Sequence, residues 1–571
     1  MQAARRSGIV LALLAGAGCD TSTQPVSFAG IETPADLARH SSEFAKRIVE
    51  VTDGVHVAIG YGLANSILIE GPDGAIIVDT MSSLQEGREV REAFREITGK
   101  PVKALIYTHN HADHVMGAHA FADAPDTPVY AHATTAAHID RVLNILRPVL
   151  TARSQRMFGS YLDPAGLVNA GIGPRLGLGP DSEIGILRPT HVFDDVLETD
   201  IAGLRVRLEH APGETDDQIL VWLPDRNVLL PGDNVYKAFP NLYTIRGTGY
   251  RDVRAWVNSL DRMRQLAPEH LVPSHTRPLS GAENIQAVLT DYRDAIQYVH
   301  DQTIRGMNQG LTADDLASRI ALPAHLAASP WLQEFYGTVA WSVRNIFSGH
   351  LGWFDGNPTR LYPLPPRDEA ARWVDLAGGY EPLLAAAETA LARNDYQWVL
   401  EITDRLLRLD PGDPRPRNAR VTALTALGEL QGNPNARHYY LTAAAELGDG
   451  LALGQIGVAD AETLRGLPMD GFFRSLSVNL DPEKSAATLQ TASFAFPDSG
   501  EHWSVIVRRG VAEVRRGELA DPDFRIAVDS LVWKEMLAGT RNPAVTVATD
   551  MDIDGGRVAF LEFLSMFRPP P

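Results

Sequence analysis

Cysteine is almost missing from the 571 residues: Cys19 is the only one. An internal disulfide is therefore excluded, and stability must come from packing and any bound metal. Long apolar runs are also lacking. The run 9–17 is far too short to cross a bilayer. Positive charge is in deficit, with 52 Lys+Arg against 71 Asp+Glu and a formal charge of -19. No basic run offsets it, which excludes a nucleic-acid partner. An anionic substrate would need a local cationic pocket. Histidine is scarce as well, 17 in all.

Against that scarcity, the stretch 107–117 concentrates His109, His111, Asp113 and His114 within six residues, directly after the apolar run 102–107. Imidazole and carboxylate suit zinc and similar borderline cations. A strand ending in H-x-H-x-D-H offers two ligand sets: His109 with His111, and Asp113 with His114. A solvated loop holding chance histidines is the poorer explanation.

The length exceeds what one core supports and implies several domains. Residues 1–19 read as a signal segment: Arg5 and Arg6 precede the apolar run, and Ala15-Gly16-Ala17-Gly18-Cys19 resembles a lipoprotein cleavage site. The expected locations are the periplasm, or the cell envelope through a lipidated N-terminus, which is the only membrane tether anticipated.

From about residue 49, short β runs at 55–59, 66–70 and 75–79 are broken by Gly/Pro turns. A helix is expected at 85–98, then strands at 102–107 and 129–131. This order suggests an α/β fold, an αβ/βα sandwich with metals at one edge. A long helix is expected at 282–309 and a Thr312-capped one at 311–322, followed by a proline-rich linker at 361–367. Five helical stretches lie between 369 and 447, the pair 380–409 having a tetratricopeptide look. Beyond 463 the pattern returns to short strands (476–480, 491–496, 503–508, 511–515, 524–528) with helices at 529–538 and 558–567.

Asp79 at a strand end, the T-H-N-H-A-D-H run with Gly117, Ala211-Pro212-Gly213-Glu214-Thr215-Asp216-Asp217, Pro231-Gly232-Asp233 and Pro273-Ser274-His275-Thr276 together resemble the metallo-β-lactamase superfamily. The resemblance implies that His109 and His111 hold one metal, that Asp113, His114 and His275 hold a second, and that Asp233 bridges them. Glu214 stands where many members have histidine, as in the alkylsulfatase branch, which uses a carboxylate there. Asp217 is its rival; His132 and His210 read as packed histidines. Asp79 is either an acceptor for a ligand histidine or a strand-end turn residue.

Asn241-Leu242-Tyr243-Thr244-Ile245-Arg246-Gly247 resembles a signature of the same branch, in which the arginine binds sulfate. A guanidinium grips two sulfate oxygens as lysine cannot. Asn241 and Tyr243 are further donor candidates, and Lys237 reads as solvated. The G-W-F-D-G-N-P-T run ending at Thr359, with Gly378-Gly379-Tyr380 and the 439–447 segment, resembles the branch's dimerisation domain. The C-terminal stretch resembles a sterol-carrier-like domain whose apolar face could enclose an aliphatic tail.

The expected domains are 1–19 signal, 40–295 catalytic, 296–455 helical dimerisation and 463–571 sterol-carrier-like. The resemblance implies a dizinc hydrolase of alkyl sulfate esters, two Zn2+ per subunit, acting as a homodimer, with Asp113 and Arg246 among its catalytic residues. Two rivals stay open: another hydrolase on the same scaffold, such as a lactamase or phosphoesterase, and a non-enzymatic lipid carrier.

Overall fold

The computed structural model describes residues 26–28, 30–143, 145–454 and 457–567. The expected signal segment and Cys19 lie outside the described residues. Two sheets pack face to face. The first runs in the spatial order Arg47–Thr52, Val55–Ile59, Ser66–Glu70, Ala75–Val78, Val102–Ile106, Val129–His132, His191–Phe193. Its first four strands pair antiparallel, through tight Gly-containing turns, and the remaining pairings are parallel. The second sheet runs from Leu279–Ser280 through His270–Leu271, Val228–Leu230, Ile219–Leu223 and Leu204–His210 to Val196–Ile201.

Several central strands are buried on both faces because each sheet is covered twice. Val57, Ile67, Ile76 and Ile106 meet Val206, Val221 and Leu230 between the sheets. The alternate residues of the first sheet, such as Leu68, Ile77 and Leu105, meet Val90 and Phe94 of helix Leu84–Arg95. On the far side, Leu220 and Leu229 pack against helices Val253–Leu266 and Ala282–Met307. This is the αβ/βα sandwich expected from the residue pattern. The strands at 55–59 and 66–70 coincide with expectation, and the helix expected at 85–98 spans Leu84–Arg95.

The division expected at 295/296 falls inside one 26-residue helix, Ala282–Met307. Ile285, Val288, Leu289, Tyr292, Ala295, Ile296 and Val299 belong to one core with Trp256 and Leu260, so packing gives the chain no reason to part there. The helix expected at 311–322 is shorter, Ala313–Arg319, and starts with a capping box between Thr312 and Asp315. Beyond it, helices Pro366–Leu376, Tyr380–Ala392, Tyr396–Leu409, Pro414–Leu430 and Pro434–Gly448 pack in succession. Pro366 opens the first of these from within the expected linker, a position where its missing N–H costs nothing. Helix Pro434–Gly448 packs on helix Arg147–Phe158 of the sandwich region, and the fully buried Arg437 donates to Glu32 O, Gly166 O and Gly428 O. The pair 380–409 thus has intrachain neighbours.

The C-terminal region forms a five-stranded sheet in the order Val511–Arg516, Glu501–Arg508, Leu489–Phe496, Phe524–Val528, Met551–Asp554. The strand expected at 476–480 lies instead mostly within helix Met469–Val478, because Phe472, Phe473 and Leu476 form one helical face. Phe473 stacks 5.0 Å from Trp503 and 5.8 Å from Trp533, with Phe494 4.8 Å from Trp533. The apolar face expected to enclose an aliphatic tail is filled by the region's own side chains.

His438, buried between Met157 O at 3.1 Å and Leu167 O at 2.6 Å, has its pKa pushed down to about 4, chiefly by burial. The unfolded chain takes up this proton near pH 6.5, before the folded one does. Stability from this group is full above that pH and declines toward about pH 4. We expect His438→Gln to flatten the acid-side loss of stability by up to about 3 kcal/mol, read from denaturant midpoints against pH; an unaltered pH profile contradicts this.

Candidate metal centre

The strand Val102–Ile106 delivers Thr108 to Asp79, at the end of the neighbouring strand Ala75–Val78. Asp79 is fully buried with φ 59°, a left-handed conformation uncommon outside glycine. Its Oδ1 accepts from Thr108 N at 2.9 Å. Its Oδ2 accepts from Thr108 Oγ1 at 2.9 Å, His114 Nδ1 at 2.8 Å and Ser274 Oγ at 2.7 Å. Asp79 is thus the expected acceptor for a site histidine, and more: it ties three loops together. Gly117 follows because a Cβ there would lie 2.2 Å from Thr80 O and 2.6 Å from Ser83 O.

With Nδ1 committed to Asp79, His114 turns Nε2 into the centre, where that buried nitrogen has no hydrogen-bond partner. His275 is set the same way: Nδ1 donates to Leu63 O at 2.8 Å and Nε2 faces Asp233 Oδ2 at 3.1 Å. Asp113 Oδ2 lies 3.4 Å from His114 Nε2 and 3.5 Å from His275 Nε2. These three residues form one ligand set, and His109, His111 and Asp233 form another. Within the latter, His109 Nε2 is 2.8 Å from His111 Nδ1. Asp233 Oδ2 stands 3.6 Å from His109 Nε2 and 3.5 Å from His114 Nε2, between the two sets. Its Oδ1 is buried and unpartnered.

Burial favours neutral groups, but the sets divide. His109 and His111 are held well below the usual imidazole range by burial, and further by His114 on the first and by His109 and Arg246 on the second. On Asp113 burial is outweighed by His114 and His275, bringing its carboxyl down to about 2. His114 and His275 are instead held up, burial being outweighed by Asp233 and Asp113, so a metal there would displace a proton beside an ionised carboxylate, as such groups do on binding. The donor set therefore fits a pair of divalent cations, and the orphaned His114 Nε2 and Asp233 Oδ1 are the atoms such cations would satisfy.

The two carboxylates proposed for the first metal part company. Glu214 lies within the centre's field: Oε1 pairs with Arg251 Nη1 at 2.9 Å while Oε2 is buried without a partner. Asp217 groups with His138 and Asp216 instead, because the loop turns it toward helix Thr135–Leu143. His132 and His210 stack at 4.0 Å and bond to Asp194 O and Asp216 O, as packed histidines do. Lys237 is not solvated but paired with the buried Glu43 at 2.5 Å.

Arg246 Nη2 lies 3.0 Å from His111 Nε2. Asn241 is fully buried with both amide atoms unpartnered. Tyr243 is half-buried and does not line the central cavity, whereas Tyr336 does; the residue between Leu242 and Thr244, both buried, points out of step with them. Arg251 was missed from sequence. It is buried, donates to Asn241 O and neutralises Glu214; its only signal was a second arginine five residues beyond Arg246 in an acidic chain. The cavity, about 120 Å³, is lined by His111, Asp113, Asp233, Arg147 and Arg246 together with Ile139, Leu150, Phe158, Ile172, Leu178 and Ile184.

Residues 59–275 match the metallo-beta-lactamase superfamily, 312–450 the alkyl sulfatase dimerisation family and 458–571 the alkyl sulfatase C-terminal family. A linear primary-alkylsulfatase of a Pseudomonas sp. is 37% identical over 88% of this chain and 98% of its own length. An alkyl/aryl-sulfatase of Saccharomyces cerevisiae is 29% identical over 91% and 82%. The solved structure of the stereoselective inverting sec-alkylsulfatase Pisa1 from Pseudomonas sp. gives a TM-score of 0.86 at 24% identity, covering 94% of this chain and 87% of that one, a likeness of fold.

Replacing Asp79 by Asn puts a donor where four hydrogen bonds are accepted. We expect Asp79→Asn to weaken metal retention roughly 10–100-fold in competition against a chelator; unchanged retention contradicts the role given to Asp79.

Proposed function

The chain belongs to the alkylsulfatase family of the metallo-β-lactamase superfamily, and from that premise we propose that it hydrolyses linear alkyl sulfates of the dodecyl sulfate type to alcohol and inorganic sulfate. It is a metal-dependent sulfuric ester hydrolase. One observation carries the substrate reading: the lining of a single cavity combines metal-ligating residues and Arg246 with aliphatic side chains. A charged head and an alkyl tail match those two kinds of lining, which puts the tail in the sandwich region.

The proposed metals are two Zn2+ per subunit. His109, His111 and Glu214 would hold one, Asp113, His114 and His275 the other, with Asp233 shared. Glu214 is preferred over Asp217 because its Oε2 is buried and unpartnered and its carboxyl feels Asp233 and His275, whereas Asp217 groups with His138 and Asp216. When bound, such a pair supplies a water acidified toward neutrality and positive charge against the sulfate oxygens. The chain's own groups do the remainder. Arg246 grips sulfate oxygens through its planar fork. Asp113 accepts a hydrogen bond from the attacking water and so aims its lone pair. Asn241 can donate to the ester or sulfate oxygens if its amide turns to the cavity. Arg251 pairs with Glu214 and, against the burial that pushes its carboxyl up, draws it down. The aliphatic walls exclude water from the scissile ester and fix the tail.

A homodimer is proposed from the dimerisation match at 312–450 together with exposed apolar side chains in that region: Trp353 is 76% exposed, Tyr362 94% and Leu376 86%. Burying such a patch is favourable at about 25 cal/mol per Å² of apolar surface. Export to the periplasm, or anchoring to the envelope through a lipidated Cys19, is proposed from the 1–19 segment.

Dodecyl sulfate turnover should vanish on chelation and return with Zn2+; β-lactam turnover with inert alkyl sulfates would overturn the reading. Arg246→Lys should lower kcat/KM about 100-fold by losing the bidentate contact, and a change below about threefold would contradict the assignment.

A further inference from the structure

A second cluster of metal-ligating side chains stands apart from the centre described above. His138, on helix Thr135–Leu143, places Nε2 3.0 Å from Asp216 Oδ1. One ligand atom from each of His138, Asp216 and Asp217 lies within 4.8 Å of the other two. Asp217 is fully buried, yet neither carboxylate oxygen has a hydrogen-bond partner among the described residues. Its negative charge is therefore poorly answered in a dry setting, a costly arrangement unless a cation completes it. Burial pushes its carboxyl up and outweighs the nearby Thr215 and Thr135 hydroxyls, which draw it down, and neither hydroxyl makes a well-aligned hydrogen bond to it. The outer side is open, since the Asp216 side chain is 78% exposed and that of His138 25%. A cation has a way in.

We propose that His138, Asp216 and Asp217 form a peripheral site for one divalent cation of the zinc class. An imidazole with two carboxylates suits zinc, cobalt or manganese better than calcium, which prefers an all-oxygen shell. The loop is already placed for this: His210 Nε2 donates to Asp216 O at 2.7 Å, holding the Asp216-Asp217 backbone against the sheet. The consequence is mechanical. Helix Thr135–Leu143 contributes Ile139 and Val142 to the cavity wall, and Asp217 lies three residues beyond Glu214 on the same loop. A bound cation would clamp that wall to the loop of the main centre.

The test is the metal content of the full-length protein, equilibrated in buffered free Zn2+ and read by inductively coupled plasma mass spectrometry. His138→Ala and Asp216→Asn alter solvent-reachable side chains, so they spare the fold where Asp217→Asn might not. Each of the three variants should carry one zinc equivalent per chain fewer than the unaltered protein, and His138→Ala should lose the corresponding zinc-dependent rise in Tm. An unchanged zinc content in His138→Ala and Asp216→Asn overturns the proposal. So does the loss of every equivalent at once, which would mean that these residues belong to the main centre.

Discussion

The buried carboxylate of Asp79 is the constraint on which the site depends. Four donors converge on it, from the strand end at Thr108, from the ring of His114 and from the Ser274 turn. Those hydrogen bonds close the edge of the sandwich, where neither sheet can satisfy the chain by ladder pairing. They also choose which nitrogen of His114 faces the centre, and they place Ser274 beside His275, whose own Nδ1 is taken by Leu63 O. Charge-assisted bonds in a dry setting are strong enough to keep Asp79 at φ 59°. One carboxylate thus links backbone strain, loop closure and ligand orientation.

Much of this is legible in sequence, for physical reasons. The His109–His114 cluster is dense enough to be unmistakable in a chain poor in histidine. The sandwich follows from apolar strands bounded by Gly and Pro, since buried strands leave continuous hydrophobic runs. Glu214 and Arg246 come from the family resemblance rather than from spacing. Other features are decided by packing at a distance. Arg251 is an ordinary arginine until the fold buries it against Glu214. Asp217 and Glu214 are three residues apart and chemically alike, so only the course of their loop separates them. Leu476 reads as the start of a strand when the window begins there and leaves out Phe472 and Phe473, its partners on the helical face. The helix Ala282–Met307 erases an expected domain boundary because its apolar face is continuous through residue 296.

The place of the alkyl tail is where sequence and structure differ most in consequence. The C-terminal sheet looked able to enclose it, but stacked aromatics occupy that interior. The apolar lining instead adjoins the metal centre, and includes Ile139 and Leu150 on two helices of the sandwich region together with Leu178 and Ile184. An acidic protein that takes an anion thus gathers Arg246 and Arg147 with metal-ligating His111, Asp113 and Asp233 on the lining of one largely apolar cavity. We propose that head and tail are recognised within this one cavity rather than in separate domains.

The most direct test is a crystal structure of the zinc-loaded enzyme with 1-decanesulfonate, which has the head and tail of the substrate but no ester oxygen to release. The sulfonate should sit against Arg246, facing two metals held by His109 and His111 on one side and by Asp113, His114 and His275 on the other, with the chain running past Ile139, Leu150 and Phe158. A single metal, or a decyl chain bound in the C-terminal sheet region, would contradict the account.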